Sequence, residues 1–300
     1  MSAAGPVALG LRRFTRHRLG VASAVVLALL AVGAASAPLV EAALAVDAKS
    51  VDLFNRFALP SLHHPLGTDE LGRDVLVRLL YGGRVSLIVG VAAALLSAAV
   101  GTAIGLVAGF YGGRLDSILM RITDGVIALP VLPLLIVLAA VDLEKVGLPP
   151  GAAASEDISL YRIVAIVSLV GWTTVARLVR GSALALRERL FVLSARALGA
   201  GKLRIMMVHI LPNLISTVIV AATLAAGNMI LLESVLSFLG LGIQPPVPSW
   251  GNLLTNAQEL IWSEPALAVY PGLMIFVTVI ALNFLGDGLR DALDPRTVRR

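Results

Sequence analysis

Long apolar runs separated by short polar stretches dominate the chain. A helix needs about 20 apolar residues to cross the hydrocarbon layer of a membrane, so we searched for runs of that length free of Asp, Glu, Lys and Arg. Four such runs lie at 20–40, 85–110, 210–232 and 266–286. The pattern predicts a transmembrane helix at each of the four positions.

Two further apolar segments are shorter. Residues 125–141 contain two prolines, and residues 163–176 lie between Arg162 and Arg177. The second segment becomes a crossing if both arginines extend their apolar stems toward the lipid headgroups. Each segment can be interpreted either as a transmembrane crossing or as a re-entrant or surface helix.

The distribution of charge favours six crossings with both chain ends in the cytoplasm. Lys and Arg resist translocation and collect on the cytoplasmic side of membrane proteins. In this arrangement, 17 of the 24 Lys and Arg lie inside, whereas 12 of the 19 acids lie outside. Removing either short segment would place a basic stretch on the wrong side. The predicted fold is therefore an all-α membrane protein with a bundle of six transmembrane helices.

Composition excludes several other classes of protein. The chain is 58% hydrophobic and 14% charged, which is too apolar for a soluble domain of this size and for a disordered chain. The absence of Cys excludes disulfides, thiolate metal sites and cysteine nucleophiles. The first apolar run has the form of a signal peptide, but it continues through Leu39 and Val40 and contains Pro38, so we expect it to be retained.

We divide the chain into three parts. Residues 1–60 comprise a basic cytoplasmic N-terminus, the first helix and the start of an extracytoplasmic loop. Residues 61–84 form an extracytoplasmic segment beside the membrane. Residues 85–300 hold five transmembrane helices and a loop at about 182–213, which we call the elbow.

The second apolar run contains glycines at every fourth position. Close backbone approach drives helix association in lipid, and small residues at this spacing permit it. The series predicts a packing face, either within the bundle of this chain or at a subunit interface. It comprises Gly101, Gly105, Gly109 and Gly113.

The stretch 64–74 mixes turn-forming residues with alternating charges. A cluster of His and carboxylates could bind a metal, but the spacing does not match a helical HExxH pattern. We interpret this stretch as a solvated face beside the membrane and predict no metal site.

The elbow places several basic side chains on a helix-forming stretch that Gly199 and Gly201 interrupt, and it ends at Pro212. Such a segment can form a knob that docks a soluble partner. The alternative is an amphipathic helix held on the surface by anionic membrane lipid.

Polar groups inside the predicted crossings are few. A carboxylate within a crossing is costly and indicates function by default. We therefore select Trp172, Asn228 and Glu233 as candidates for the translocation pathway, with Glu233 near the outer end of its helix. Motifs for phosphate binding and for serine hydrolases are absent, so no catalytic residue is predicted.

Several strings together resemble a known family. From about residue 60 onward the chain is similar to the permease subunits of binding-protein-dependent ABC importers, in the branch that serves dipeptides, oligopeptides and nickel. The matching strings are His64-Pro-Leu-Gly-Thr-Asp with Gly72-Arg-Asp-Val-Leu; Ala176-Arg-Leu-Val-Arg-Gly; Ala195-Arg-Ala-Leu-Gly-Ala; His209-Ile-Leu-Pro-Asn; Ser237-Phe-Leu-Gly-Leu-Gly; and Pro245-Pro246 with Ser249-Trp-Gly.

The resemblance implies a role for the elbow. In this family the corresponding loop carries a Glu-Ala-Ala signature followed by a glycine, and its short coupling helix lies in a groove of the cytoplasmic ATPase. Here Leu193 and Ser194 replace the Glu and the first Ala of the signature, whereas Ala195 and Gly199 match it. The implied coupling residues are Leu193, Ser194, Ala195, Arg196, Gly199, Gly201 and Arg204.

The resemblance also implies partners and a location. A subunit of this kind lies in the bacterial cytoplasmic membrane and forms half of the pathway with a second, homologous permease. The complex adds one or two cytoplasmic ATPase subunits, which hold the ATP and Mg, and an extracytoplasmic substrate-binding protein. Membrane lipid is a further partner, nucleic acid is not expected, and this chain carries no cofactor.

Three alternatives stay open beside a peptide importer. The first is a permease of the same type for nickel or another small solute. The second is a secondary transporter, which would normally show repeated halves and ionisable residues near the midplane. The third is an intramembrane hydrolase that uses His63, His64 or Glu233.

Overall fold

Helices form the regular structure of this protein. The computed structural model describes residues 12–142, 144, 145, 147, 149 and 156–293, and an isolated bridge joins Thr68 to Asp74. The helices are α1 Arg18–Ala35, α2 Ala37–Leu44, α3 Val75–Tyr111, α4 Gly113–Ala128, α5 Val131–Ala139, α6 Glu156–Arg187, α7 Leu190–Ala197, α8 Lys202–Arg204, α9 Leu211–Phe238, α10 Ala257–Leu260 and α11 Pro265–Leu293. A π-helical turn, Ile205–Ile210, joins α8 to α9.

Within the part of the chain that the structure describes, five helical units are long and apolar enough to cross a membrane. They are α1, α3, α6, the continuous unit Lys202–Phe238 and α11. The 37 residues of α3 extend over about 55 Å, well beyond a hydrocarbon layer of about 30 Å. The predicted all-α class is confirmed, and each of the four long apolar runs is helical. Arg296, Arg299 and Arg300, which we expect in the cytoplasm, lie outside the described residues.

The segment 125–141 does not form one continuous helix. It consists of the end of α4 and all of α5, which meet at an angle of 84°. Leu129, between them, has extended backbone angles of φ −74° and ψ 140°, because Pro130 lacks an N–H and disfavours helical geometry in the residue before it. A sixth crossing therefore exists only if this bent pair is counted as one span.

The segment 163–176 is the middle of α6, which is more than twice as long as the apolar run. Arg177 forms an ion pair with α4, in which its Nη2 lies 2.6 Å from Oδ1 of Asp124. One helical turn further on, Arg180 binds both carboxylate oxygens of Asp116, with Nη2 2.6 Å from Oδ2. These two ion pairs hold α4 against α6.

The glycine series lies mainly on the contact between α3 and α6, the most extensive helix contact in the chain. A Cβ added to Gly101 would lie 2.6 Å from the carbonyl oxygen of Trp172, and one on Gly105 would lie 2.4 Å from that of Ala176. Gly109 approaches Ala183 equally closely. Only glycine permits backbones this close. Gly113 is not part of the series, since α3 ends at Tyr111.

The other helices pack around this pair. α9 lies against α3, α6 and α11, and α1 lies against α11 and α3. We call the end of the bundle with Tyr111, Arg187 and α7 the elbow end, and the opposite end, with the polar stretch 64–74 and the loop 239–251, the loop end.

The stretch 64–74 is folded and largely buried, so the prediction of a solvated face is wrong. Asp74 is 2% exposed, accepts a hydrogen bond of 2.8 Å from the backbone N–H of Val77 at the start of α3, and lies 3.0 Å from Nδ1 of His64. Asp69 is 6% exposed and accepts hydrogen bonds from the backbone and side chain of Arg73. The charged groups of this stretch therefore bind one another and cap α3. Among the described residues, no three His, Asp or Glu side chains form a metal site.

The glycine contact generates a stability prediction. We expect Gly105→Ala to destabilise the chain by about 1–3 kcal/mol, because the new methyl group overpacks the contact with α6. Gly181→Ala, in α6 with no neighbouring atom within 4 Å of the new Cβ, is the matched control and should be neutral or slightly stabilising through helix propensity. Thermal unfolding of the purified proteins measures both effects, and equal midpoints for the two variants would contradict the packing assignment.

Candidate functional site

The elbow contains a short helix, α7. A change of backbone conformation on each side separates it from the longer helices around it. α7 begins after Arg189, whose backbone is extended at φ −74° and ψ 146°. It ends at Ala197, Leu198 is its C-cap residue, and Gly199 follows with a positive φ of 81°. The chain thus turns sharply on both sides of an eight-residue helix.

The glycine after α7 closes a Schellman motif. The N–H of Gly199 donates to the carbonyl of Arg196, and the N–H of Ala200 donates to that of Ala195, each at 3.0 Å. This pair of bonds satisfies the last carbonyls of the helix and requires a left-handed residue, which is usually glycine. Gly201, in contrast, has an ordinary φ of −65°, and no atom lies within 4 Å of the Cβ that it lacks.

One face of α7 is fixed to the bundle. Val192 and Ala195, three residues apart, are buried in a cluster that includes Phe110 at the end of α3. The same cluster contains Ile205 and Met206 of the π-helical turn. Within this cluster α7 contacts α6 and the π-helical turn, and residues of α3 and α9 complete the cluster.

The opposite face of α7 is apolar and exposed. Leu190 is 81% exposed, Leu193 is 45% exposed, and Leu198, just after the helix, is 88% exposed. Large apolar side chains grouped on a surface mark an interaction site. Leu193 lies where the family signature has Glu, so this position offers an apolar contact instead of a charge.

Basic side chains surround the exposed face. Arg189, Arg196, Lys202 and Arg204 are exposed, and Arg187 lies at the end of α6 with its Nη2 3.7 Å from the carboxylate of Glu188. Of the predicted coupling residues, Leu193, Ser194, Arg196, Gly199, Gly201 and Arg204 are exposed and Ala195 is buried. Ala195 faces the bundle, whereas the other six lie on the exposed surface of the elbow.

Sequence reasoning missed Leu190 and Leu198 on this surface and Val192 beneath it. The helical spacing of these residues does separate them into two faces, because Val192 and Ala195 lie on one face of α7 and Leu190 and Leu193 lie on another. The run is only eight residues long, which is too short for periodicity alone to define the two faces.

The three candidate pathway residues lie in different environments. Trp172 is buried in the contact between α3 and α6, Asn228 is exposed on α9, and Glu233 has no exposed surface. The structure therefore does not bring them together in one site.

Glu233 is bound by serine hydroxyls from two helices. Its Oε1 accepts a hydrogen bond of 2.7 Å from Ser237, and its Oε2 accepts one of 3.0 Å from Ser86 on α3. The Ser86 hydroxyl in turn accepts a hydrogen bond of 3.2 Å from the backbone N–H of Trp250. A buried carboxylate is tolerated when donors surround it in this way, and here it holds α3, α9 and the loop 239–251 together.

The loop 239–251 is fixed by further bonds. The N–H of Ile243 donates to the Ser237 hydroxyl at 3.0 Å, and the indole Nε1 of Trp250 donates to the carbonyl of Leu79 at 3.0 Å. The Trp250 ring lies against Gly83, where a Cβ would approach it to 2.9 Å. Ser86 and Ser237 are thus structural partners of Glu233 and of this loop, and their separation in sequence concealed that role.

Comparison with known proteins gives one family and several close relatives. Residues 101–299 match the model of the binding-protein-dependent transport system inner membrane component. The oligopeptide transport system permease protein OppC of Bacillus subtilis is 37% identical over 284 residues, covering 95% of this chain and 88% of OppC. The glutathione transport system permease protein GsiD of Escherichia coli is 41% identical over 285 residues, covering 95% of this chain and 89% of GsiD.

The two glycines of the elbow form a matched pair for a local test. Gly199→Ala must place a side chain in the left-handed region, which costs about 1 kcal/mol or more, so we expect amide exchange at residues 199 and 200 to accelerate about fivefold or more. Gly201→Ala meets no such cost and should leave exchange unchanged. Hydrogen–deuterium exchange of the elbow peptides measures this, and equal exchange in the two variants would contradict the assigned Schellman motif.

Proposed function

This chain belongs to the family of inner membrane components of binding-protein-dependent transport systems, and from that membership we propose that it forms half of the translocation pathway of an ATP-driven peptide importer. It is a multi-pass inner membrane protein and a non-catalytic permease subunit, since the ATPase of such a system is a separate protein. A secondary transporter and an intramembrane hydrolase do not fit this membership.

The observation that carries the proposal is the two-faced helix α7. Its buried face packs against α6 and the π-helical turn, and its exposed face presents Leu190 and Leu193. An apolar helix face laid into a groove is a recurring mode of protein recognition. We propose that α7 is the coupling helix and that it docks in a groove of the cytoplasmic ATPase, which places the elbow end in the cytoplasm.

The proposed assembly contains two permeases related by a pseudo-two-fold axis. One or two ATPase subunits, which hold ATP and Mg, lie beneath them, and a substrate-binding protein docks at the loop end. The residues of the pathway are less defined. Asn228 is exposed on α9 and is available to line a pathway between subunits, whereas Glu233 is enclosed by serines and acts by holding the loop 239–251 in place.

The proposed mechanism follows from differential binding. A ligand shifts a conformational equilibrium only if it binds one state more tightly than the other. ATP favours the closed pair of ATPase subunits, whose closure would draw the two coupling helices together. Because α7 is packed against the ends of long helices, its movement would tilt them and open the pathway outward, and hydrolysis would reset it inward.

Peptides are the proposed substrate because the relatives above are named for oligopeptides and for glutathione. Nickel or another small solute is the alternative within the same type of permease. The direct test is to purify the native complex, reconstitute it with its binding protein, and measure ATP-dependent uptake of labelled peptides and of nickel. Uptake that requires neither an ATPase nor a second permease would contradict the proposal.

The exposed face of α7 generates a sharper prediction. Leu190→Ala together with Leu193→Ala removes apolar contact area without changing charge, and we expect association with the ATPase to weaken at least about tenfold. Uptake at limiting ATPase should fall in proportion, whereas the thermal midpoint of the permease should be unchanged because both side chains are exposed.

The matched control is Leu95→Ala with Leu169→Ala. These leucines are 61% and 56% exposed on α3 and α6, far from the elbow in sequence. ATPase association is measured by copurification at graded ATPase concentrations. If the elbow variant retains wild-type association and uptake, or if both double variants lose them equally, α7 is not the docking helix.

A further inference from the structure

A basic cavity lies beside α7 at the elbow end. It has a volume of about 690 Å³, and its walls come from the end of α3, the end of α6, α7 and α8. The charged side chains in its walls are Arg187, Arg196, Lys202 and Glu188. The cavity therefore has an excess of positive charge, and it adjoins the docking face of α7 at Leu193, which lines it.

The cations of the cavity are incompletely neutralised. Arg187 is paired only weakly, with its Nη2 3.7 Å from Glu188 and its Nη1 3.4 Å from the carbonyl of Phe110. Among the described residues, no carboxylate lies within 4 Å of Arg196 or Lys202. With three cations and one carboxylate in its walls, the cavity favours an anion by Coulomb attraction.

The aromatic and apolar walls indicate where the cavity lies in the membrane. The run free of Asp, Glu, Lys and Arg that forms most of α3 ends at Gly113, two residues after Tyr111. Tyrosine is enriched where hydrocarbon meets the headgroup layer, and Tyr111 is 44% exposed with Lys202 Nζ 5.4 Å from the centre of its ring. Phe110 and Ile205 are buried and supply an apolar floor. The cavity thus combines cations with apolar surface at headgroup depth.

We propose that this cavity binds the phosphodiester group of an anionic phospholipid. Basic pockets between transmembrane helices on the cytoplasmic side bind anionic headgroups, and the apolar floor fits the glycerol and the first carbons of the acyl chains. The most exposed leucines of the docking face, Leu190 and Leu198, do not line the cavity. Leu193 borders both surfaces, so a bound lipid and a docked ATPase would meet at this side chain.

The proposed site has a consequence for coupling. A lipid phosphate in the cavity would contact α6 through Arg187, α7 through Arg196 and α8 through Lys202. The bound lipid would therefore link α6, α7 and α8, the helices that must move together when the elbow moves. The lipid site requires that the elbow end lie at a membrane surface, but it does not require that α7 dock an ATPase. Experiments can therefore disprove lipid binding without disproving the transport function, and the reverse.

The test compares two pairs of charge removals in the full-length chain, purified with its partner subunits. Arg196→Gln with Lys202→Gln removes two charges from the cavity. Arg189→Gln with Arg204→Gln removes two exposed charges of the same elbow that do not line the cavity. Native mass spectrometry, with phosphatidylglycerol or phosphatidylcholine added in detergent, counts the bound lipid.

We expect the wild-type protein to bind phosphatidylglycerol in preference to phosphatidylcholine. The cavity variant should bind phosphatidylglycerol about thirtyfold more weakly, as expected for the loss of two surface cations. The control pair should change the affinity by less than about threefold. Arg196→Lys with Lys202→Arg, which keeps both charges, should retain binding. Thermal midpoints verify that each variant is folded.

Four results would overturn the proposal. Equal weakening by both pairs would show general attraction to a basic surface, and no weakening by either pair would exclude the cavity. Displacement of the lipid by inorganic phosphate at the same concentration would assign the site to a soluble phosphate. Loss of the lipid when the ATPase assembles would assign the cavity to an acidic segment of that protein.

Discussion

The close contact between α3 and α6 is the interaction on which the rest of the structure depends. Backbones that approach over Gly101, Gly105 and Gly109 hold the two helices together along the half of α3 nearest the elbow. In lipid, where apolar side chains gain nothing by leaving the surrounding hydrocarbon, such close packing is a main source of helix association. The contact brings Phe110 and Arg187 together and so creates the surface on which α7 rests.

From this contact the architecture of the elbow follows. α7 packs on the paired ends of α3 and α6 through Val192 and Ala195, and the Schellman motif at Gly199 returns the chain to the bundle. The π-helical turn then leads without interruption into α9. At the opposite end, Glu233 and its serines hold α3 and α9 to the same loop. α3 and α9 are thus linked near both of their ends, by the cluster that includes Val192 and by Glu233.

Sequence reasoning predicted what depends on local pattern and missed what depends on distant partners. Apolar runs located the crossing helices but underestimated their length, because a helix such as α3 continues through charged residues beyond the membrane. Pro130 carried a visible signal for the break before α5. Burial of Asp69 and Asp74, and the serine donors to Glu233, were not predictable because their partners are brought together only by folding. The elbow was found because charge, glycine and proline lie close together in the sequence, but the two faces of α7 required the structure.

The proposed docking of α7 and the proposed lipid site both require that the elbow end face the cytoplasm. The chain contains no cysteine, so a single introduced thiol reports its own location. Leu198→Cys and Ser61→Cys, both at exposed positions at opposite ends, are expressed without the ATPase and treated with a membrane-impermeant maleimide in spheroplasts. The account predicts that Ser61→Cys is labelled at once and that Leu198→Cys is labelled only after permeabilisation. Prompt labelling of Leu198→Cys in intact spheroplasts would contradict it.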